Sequence, residues 1–289
     1  MSEKSTPFSE IQCGDLILNL EMPQIMGIIN LTEDSFFDGG SYIKERDYLL
    51  RAESLLGEGA VILDIGAAST RPGSPLISEI EEWQKLEQPL KKIRAKFPKA
   101  ILSVDTYNSA QVKRCSDLGI NIINDISGGA WDDQMYREIA RTKMAYVMMH
   151  IQGTPENMQN KPQYQSVVEE VKAAFVKGIE KLEALNYTNI ILDPGFGFGK
   201  GLTHNYTLLA QLVAFLPLKY PVLAGLSRKS MIFKVLDIRA QEALNGSTAL
   251  NMIALLNGAK ILRVHDAKEA NETIRLFSKY KEVLEPINK

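Results

Sequence analysis

Eight short apolar segments recur along the chain, and each is followed by a polar residue that can take part in chemistry. The segments lie at 25–29, 61–63, 101–104, 121–123, 145–149, 189–192, 221–226 and 260–262. Their length is typical of buried β-strands, and helical patterns lie between them. Eight strand–helix units predict an α/β fold, the (β/α)8 or TIM barrel. In that fold the carboxyl ends of all strands meet at one mouth, so the polar residues become candidate neighbours.

Two further apolar segments precede these eight units. Residues 11–13 and 16–20 flank Gly14-Asp15, which is a β-hairpin pattern. We expect the hairpin to cover the bottom of the barrel without a catalytic role. The predicted organisation is an N-terminal extension with the hairpin at 1–20, followed by the barrel at 21–289. In the helical patterns, Pro89 predicts a kink or restart, and Asn108 predicts the cap of a helix that begins at Ser109.

Composition narrows the class of protein. The 289 residues carry a net charge of −2 without a block of Lys and Arg, which argues against nucleic-acid or anionic-membrane partners. The N-terminal region lacks the apolar run of a signal peptide, and no segment reaches transmembrane length. Two cysteines, Cys13 and Cys115, are too few for a disulfide framework and fit a reducing cytosol. We therefore expect a cytoplasmic protein.

Three loops after strands are longer than packing requires, at 32–41, 67–78 and 152–165. Long loops at a barrel mouth are usually functional. The first two combine glycines, hydroxyl side chains and Arg71. This combination suits a mobile lid over an anionic substrate.

Asp193 begins a glycine-rich turn, residues 193–200, after the sixth strand. A carboxylate there can accept hydrogen bonds from paired N–H groups of a heterocycle, and the glycines let the backbone approach a flat ligand. Asp105 and Asn124 follow the third and fourth strands. Together the three side chains would frame a purine- or pterin-like edge. The alternatives are that the turn serves only strand–helix packing and that Asp105 and Asn124 satisfy helix or strand ends.

Cationic and imidazole side chains follow the last two strands, where TIM barrels commonly bind phosphate. Lys229, Arg263 and His265 would form a cationic wall able to hold a pyrophosphate, although Lys229 alone also fits a solvated lysine and His265 a helix cap. Asn30, at the end of the first strand, offers a neutral oxygen suited to Mg²⁺. His150 is interpreted as a strand-end residue that supports its neighbours.

These segments together resemble the dihydropteroate synthases, the pterin-binding barrel family of the folate pathway. The departures from the family pattern lie in the loops, at Glu33, Phe37 and Ala67-Ala68. The resemblance covers nearly the whole barrel and is carried, in order, by Met26-Gly27-Ile28-Ile29-Asn30-Leu31-Thr32, Asp34-Ser35-Phe36, Asp38-Gly39-Gly40, Asp64-Ile65-Gly66, Ser69-Thr70-Arg71-Pro72-Gly73, Ser103-Val104-Asp105-Thr106, Ile123-Asn124-Asp125, Met148-Met149-His150, the 193–200 turn, Ser227-Arg228-Lys229-Ser230 and Arg263-Val264-His265-Asp266.

The resemblance implies a transferase that condenses 6-hydroxymethyl-7,8-dihydropterin pyrophosphate with para-aminobenzoate. The products would be 7,8-dihydropteroate and pyrophosphate, with Mg²⁺ as cofactor. It also implies a cytoplasmic homodimer that is a target of sulfonamides. An arylamine is already nucleophilic, so the difficult step is departure of pyrophosphate, and an SN1-like substitution is expected.

Residue roles follow from the same resemblance. Arg263 would stack over the pterin, Arg71 with Thr70 would close over the site, and Asn30 would bind the Mg²⁺–pyrophosphate. Phe198 and Ser230 would help to bind para-aminobenzoate. The implied catalytic residues are Lys229, Arg263, His265, Asp105 and Arg71. The implied substrate-binding residues are Thr70, Asp105, Asn124, Met148, Asp193, Phe198, Lys229, Ser230, Arg263 and His265.

Three other functions would use parts of the same site. A pterin-binding methyltransferase barrel would share Asp105, Asn124 and Asp193 but has no use for a pyrophosphate wall. A non-catalytic pterin- or phosphate-binding barrel would not need both loop motifs and Asn30. A Schiff-base aldolase would use Lys229, which here lies in a loop among cations and hydroxyls.

Overall fold

A computed structural model describes residues 9–31 and 45–284, so the predicted first lid loop, 32–41, lies outside the described residues. Two strands, β1 (Glu10–Cys13) and β2 (Leu16–Asn19), form an antiparallel hairpin. The barrel strands are β3 (Gln24–Asn30), β4 (Ile62–Gly66), β5 (Ile101–Asp105), β6 (Ile122–Asp125), β7 (Ala145–Met149), β8 (Ile190–Asp193), β9 (Leu223–Ala224) and β10 (Ile261–Val264).

The eight barrel strands are parallel, in the order β8-β7-β6-β5-β4-β3-β10-β9. A parallel bridge between Leu192 and Val222 joins the two outermost strands. The closed parallel sheet confirms the predicted (β/α)8 barrel and the hairpin. The domain boundary at residue 20 remains a prediction.

Helices surround the sheet and pack on its outer face. They are α1 (Glu45–Gly57), α2 (Glu79–Lys96), α3 (Ala110–Asp117), α4 (Met135–Ala140), α5 (Val167–Glu183), α6 (Leu202–Ala210), α7 (Ser230–Leu236), α8 (Leu244–Leu256) and α9 (Ala267–Leu284). Short 3-10 helices lie at Leu212–Leu218 and Ala240–Glu242.

The predicted restart at Pro89 and the predicted helix cap at Asn108 are wrong. Helix α2 runs through Pro89 without a restart, because Leu86, Leu90 and Ile93 on both sides of the proline are buried against the barrel. Asn108 does not cap α3. Its side-chain amide instead donates to Glu82 Oε2 at 2.8 Å.

The bottom of the barrel, at the amino ends of the strands, is an apolar plug. Hairpin residues pack there against the first inward-facing side chain of the strands. The plug consists of Ile11, Cys13, Leu18, Leu20, Met26, Ile62, Ile101, Ile122, Ala145, Val147, Ile191, Leu223 and Ile261. The hairpin therefore closes this end by hydrophobic burial, which leaves the opposite end for chemistry.

Above the plug, toward the mouth, the inward-facing side chains of several strands are polar and form a polar layer. Side chains two positions apart face the same side of a strand. Moving two residues toward the mouth from the plug therefore leads to inward-facing polar residues. These steps run from Ile62 to Asp64, Ile101 to Ser103 and on to Asp105, Ile122 to Asn124, Ile191 to Asp193, and Ile261 to Arg263.

Candidate active site

Arg263 is the centre of the polar layer. Its Nε donates to Asp64 Oδ2 at 2.6 Å and its Nη2 donates to Asp105 Oδ2 at 2.8 Å. Burial alone would lower the pKa of Arg263, but the two carboxylates outweigh it and raise that pKa. One guanidinium thus joins β10 to β4 and β5 and presents the rest of its planar group to the mouth.

Asp64 is the deepest partner and was not assigned a role from the sequence. It is fully buried, and it also accepts from Ser103 Oγ at 2.6 Å and Asn124 Nδ2 at 3.0 Å. The carboxylate therefore fixes Asn124 and Arg263 relative to each other. The sequence does carry a signal for this role, because Asp64 is a charged residue two positions after the inward-facing Ile62 in an otherwise apolar strand.

Asp105 lies one step closer to the mouth than Asp64. Burial raises its pKa to about 7, although Arg263 opposes the shift. On the neighbouring strand, a Cβ at Gly66 would lie 3.3 Å from the Asp105 Cβ. The glycine leaves space beside the carboxylate at the rim of the barrel.

Asp193 and Lys229 form the opposite side of the mouth. Asp193 Oδ1 accepts from the backbone N–H of Gly195 at 2.8 Å, and burial raises the pKa of Asp193 while Lys229 opposes it. The Lys229 ammonium donates to the Phe196 carbonyl and lies 4.7 Å from the centroid of the Phe198 ring. Burial lowers the pKa of Lys229 to about 8, and Asp193 limits that fall.

His265 lies behind this pair and is joined to the β9 loop. Its Nδ1 lies 3.0 Å from Ser227 Oγ, and the Arg51 guanidinium donates to its backbone carbonyl. Burial, and then Arg263, lowers the pKa of His265 to about 4. This low pKa favours the neutral imidazole at pH 7, so His265 would contribute hydrogen bonds rather than charge to the predicted wall.

The two loops that carry Lys229 and His265 are held together by an ion pair. The Arg228 guanidinium donates to both carboxylate oxygens of Asp266, at 3.0 and 2.6 Å. Arg228 adopts a left-handed φ of 56°, which is unfavourable for a non-glycine residue. The bidentate pair stabilises that turn and so sets the direction of Lys229.

The structure brings most predicted residues to one mouth. Asp105, Asn124, Asp193, Lys229 and Arg263 form the group described above. Asn30 ends β3 opposite Gly66, on the same rim. Ser230 begins α7 directly after Lys229, while Thr70 is half-buried and Arg71 exposed on the β4–α2 loop.

Met148 is not brought into this group. It is 2% exposed, but its side chain faces the helices, where a Cβ at Gly178 of α5 would lie 2.6 Å from its sulfur. Alternation explains the placement, because Val147 faces the barrel interior and Met148 therefore faces outward. The Met148 side chain therefore lies outside the group at the mouth, and its role in substrate binding stays a prediction.

Comparison with known proteins identifies the family of the chain. The family described as pterin binding enzyme matches residues 26–265. The dihydropteroate synthase of Escherichia coli strain K12 is 40% identical over 261 residues, which cover 90% of this chain and 92% of that protein.

Solved structures give the same result. The Yersinia pestis dihydropteroate synthase in complex with a sulfonamide drug has a TM-score of 0.89 at 37% identity, covering 94% of this chain and 99% of that one. The Xanthomonas albilineans dihydropteroate synthase with 4-aminobenzoic acid has a TM-score of 0.88 at 33% identity, covering 94% and 98%.

The chain therefore belongs to the family of pterin-binding enzymes. Its curated relatives and structural neighbours share one activity, and within the family the chain is a member of the dihydropteroate synthases, transferases of folate biosynthesis. Within the described residues, none of the helices is long and apolar enough to cross a membrane.

Proposed function

We propose that the chain condenses 6-hydroxymethyl-7,8-dihydropterin pyrophosphate with para-aminobenzoate by a dissociative, SN1-like substitution at the mouth of the barrel. The observation that carries this proposal is the single group formed by Asp105, Asn124, Asp193, Lys229 and Arg263. These side chains offer in-plane acceptors and donors on one side and cations on the other. A pterin and its pyrophosphate need both.

The pterin would lie in the frame of Asp193 and Asn124. Asp193 accepts one backbone hydrogen bond through Oδ1, and a carboxylate has further acceptor positions for the N–H groups of a pterin. Arg263 would cover one face of the ring with its planar guanidinium. Gly197 and Gly225 lie beside Lys229 and leave room for a flat ligand.

Departure of pyrophosphate creates negative charge on the leaving group and positive charge on the pterin methylene carbon, and side chains on two sides of the site would stabilise these charges. The pyrophosphate leaving group would be stabilised by the Lys229 ammonium, the Arg263 guanidinium and hydrogen bonds from His265. Asp105, on the other side, would stabilise positive charge at the pterin methylene carbon. Thr70 and Arg71, on the β4–α2 loop, would close over the site and exclude water that competes for the cation.

Asn30 fits a magnesium ion that arrives with the pyrophosphate. It provides a hard amide oxygen at the rim, and Mg²⁺ commonly takes few protein ligands and completes its shell with phosphate and water. In the described part of the chain, no cluster of three His, Cys, Asp or Glu could hold a metal without substrate. When bound, Mg²⁺ would neutralise charge on the leaving group.

Para-aminobenzoate would bind between Phe198 and the start of α7. The Phe198 ring packs beside Lys229 and offers an aromatic face to the benzoate ring. Ser230 would donate to the carboxylate. A sulfonamide, an analogue with a similar arylamine, is expected to compete at this position.

Assembly and location are further proposals. Leu276, Tyr280 and Val283 form an exposed stripe on α9, next to exposed Ile253 and Leu256 on α8, and we propose that a second copy covers it in a homodimer. Both cysteines are free and buried, in keeping with a cytoplasmic location. Analytical ultracentrifugation of Leu276→Asp against the wild type tests the dimer.

The proposed reaction is tested by incubating the purified protein with the pterin pyrophosphate, para-aminobenzoate and Mg²⁺. Equimolar pyrophosphate and dihydropteroate are expected, and omission of para-aminobenzoate removes the dihydropteroate. A pterin-binding methyltransferase or a non-catalytic binder would bind the pterin without releasing pyrophosphate, and that result would refute the proposal.

A further inference from the structure

Lys200 is a buried lysine that the proposed chemistry does not use. It ends the 193–200 turn and is only 3% exposed. Its ammonium lies within hydrogen-bond distance of four acceptors that share its three N–H groups: His150 Nδ1 at 3.0 Å and the carbonyls of His150, Gly195 and Phe198 at 3.0, 3.0 and 2.9 Å. Among residues 9–31 and 45–284, no carboxylate forms an ion pair with it. A buried ammonium without an ion-pair partner is costly, so it calls for a reason other than stability.

The acceptors of Lys200 belong to two chain segments in direct backbone contact. A Cβ at Gly195 would lie 2.0 Å from the His150 carbonyl oxygen, and a Cβ at Gly199 would lie 2.4 Å from the Gln152 carbonyl oxygen. Both glycines have left-handed φ values, of 71° and 58°. The close approach brings carbonyls of both segments together, and the ammonium neutralises their mutual repulsion.

Those same segments hold Asp193 in place. The backbone N–H of His150 donates to the Asp193 carbonyl at 3.0 Å, and the N–H of Gly195 donates to Asp193 Oδ1 at 2.8 Å. Both residues are fixed in turn by Lys200. The third carbonyl, from Phe198, belongs to the residue whose ring lies against Lys229. The Lys200 ammonium therefore supports both the Asp193 carboxylate, which would bind the pterin, and the Phe198 ring beside Lys229.

We infer that Lys200 is a positioning residue that, through its protonated ammonium, holds the 193–200 turn in the conformation that binds the pterin. This inference rests on the proposed pterin frame at Asp193. Lys200 acts through Asp193 and Phe198 and does not itself reach the reacting atoms.

The arrangement also makes pterin binding sensitive to pH. The titratable or charged groups that face Lys200 are His150, directly after β7, Asp193 from β8 and Lys229 from the loop after β9. Burial lowers the pKa of Lys200 to about 7, whereas Asp193 favours its protonated form. Burial also lowers the pKa of His150 to about 3, so its neutral ring can accept from the ammonium. As the pH rises above 7, the turn loses a donor and its positive charge.

The test measures binding of 6-hydroxymethylpterin and of inorganic pyrophosphate by calorimetry in four proteins. These are the wild type, Lys200→Met, Lys200→Arg and the exposed-lysine control Lys113→Met. We expect Lys200→Met to weaken pterin binding by about 30-fold and pyrophosphate binding by less than about 3-fold, because the anion residues lie on other loops. Lys200→Arg should recover most of the pterin affinity, and Lys113→Met should match the wild type.

Three outcomes would overturn the inference. They are unchanged pterin affinity in Lys200→Met, equal losses for pterin and pyrophosphate, and a Lys200→Arg variant no better than Lys200→Met. Asp193→Asn is measured alongside, because wild-type pterin affinity in that variant would reject the pterin frame itself rather than the role of Lys200.

The wild-type protein provides a second measurement that does not depend on the folding of a variant. Its pterin affinity should fall as the pH rises from 6 to 9, with a first midpoint near 7. Asp105, with a pKa of about 7, and Lys229, with a pKa of about 8, titrate in both proteins, so the loss between pH 6 and 8 should be smaller in Lys200→Arg than in the wild type, and equal losses would contradict the inference. A constant wild-type affinity over this range would contradict the inference.

Discussion

The two ends of the barrel are built on the same strands but hold the protein together differently. At the bottom, the hairpin and the first inward side chains form an apolar plug that includes Leu18, Leu20 and Met26. At the mouth, two to four residues further along the strands, the buried carboxylates of Asp64 and Asp105 accept hydrogen bonds from the partly buried Arg263. One end buries hydrocarbon and the other buries charge.

The difference shows how stability and function are divided in this fold. Apolar burial stabilises the fold by about 25 cal/mol per Å², and it requires only apolar side chains whose volumes fill the space. A buried ion pair gives little net stability, because desolvation offsets its Coulomb energy, yet loss of one partner is severe. The bottom should therefore tolerate substitutions with a cost in stability alone, whereas at the mouth stability and activity should change together.

The largest effect is expected for Arg263→Met, which leaves Asp64 and Asp105 without their shared cation. The free energy of unfolding should fall by about 3–5 kcal/mol, and condensation should be undetectable. Urea unfolding and the pyrophosphate-release assay measure the two quantities.

Arg94→Met is the matched control at the other end of the barrel. Arg94 donates to the carbonyls of Ala100 and Gly119 and to Asn121 Oδ1, far from the mouth. The Arg94→Met substitution should lower the free energy of unfolding but leave the turnover of the folded protein unchanged. An Arg263→Met protein as stable as the wild type would contradict the division between the two ends.

The plug is tested by Leu18→Ala, which removes a side chain that is 1% exposed. The free energy of unfolding should fall by about 2–4 kcal/mol, because a cavity replaces buried hydrocarbon. Turnover at 25 °C should stay within about twofold of the wild type. Ile17→Ala, on the 59% exposed neighbour, should change stability by less than about 0.5 kcal/mol. A loss of turnover in Leu18→Ala that matches the loss in Arg263→Met would show that the ends are coupled.

At the mouth, the binding of the two substrates should be coupled. The para-aminobenzoate site lies beside the pterin and pyrophosphate positions and includes loop residues, so it should bind poorly to the free protein. Pterin, pyrophosphate and Mg²⁺ should improve its binding by about 1–3 kcal/mol. His265→Ala should reduce this improvement, because it weakens the pyrophosphate site. Calorimetric titration with and without the first ligands measures the coupling, and equal affinity in both conditions would mean that the site is preformed.

Much of this division could be predicted from the sequence because it follows from strand geometry. Parallel strands end at one mouth, and alternation of period two places Asp105, Asn124, Asp193 and Arg263 in neighbouring inward layers. The same rule, counted from Val147, would also have placed Met148 outside the barrel.

The remaining features depend on three-dimensional packing. The sequence does not show that Asp64 shares Arg263 with Asp105, because long side chains on different strands choose partners only in the folded barrel. It does not show that burial makes His265 neutral, or that Lys200 has carbonyl partners from two loops. Pro89 continues its helix because buried leucines on both sides hold it to the sheet.

The smallest effect concerns the cost in stability of a charged group at the mouth. Burial lowers the pKa of Lys229 in the folded protein from its ordinary value of 10.5 to about 8; Asp193 partly compensates, and the neighbouring Arg263 cation lowers it further. Between these two values the unfolded chain binds more protons than the folded one, so this group makes the free energy of unfolding rise with pH. Lys229→Met lacks this contribution. Its stability relative to the wild type should therefore be greatest near pH 7 and decline toward pH 10, by up to about 1.4 kcal/mol per pH unit.

Urea unfolding of the two proteins at several pH values measures the trend, and Lys113→Met, with an exposed lysine removed, should show none. If the free energy of unfolding of Lys229→Met instead rose relative to the wild type as the pH increased, the mouth would favour the charged form of Lys229. A buried charge at the mouth would then carry no cost in stability, and the contrast with the apolar bottom would be limited to function.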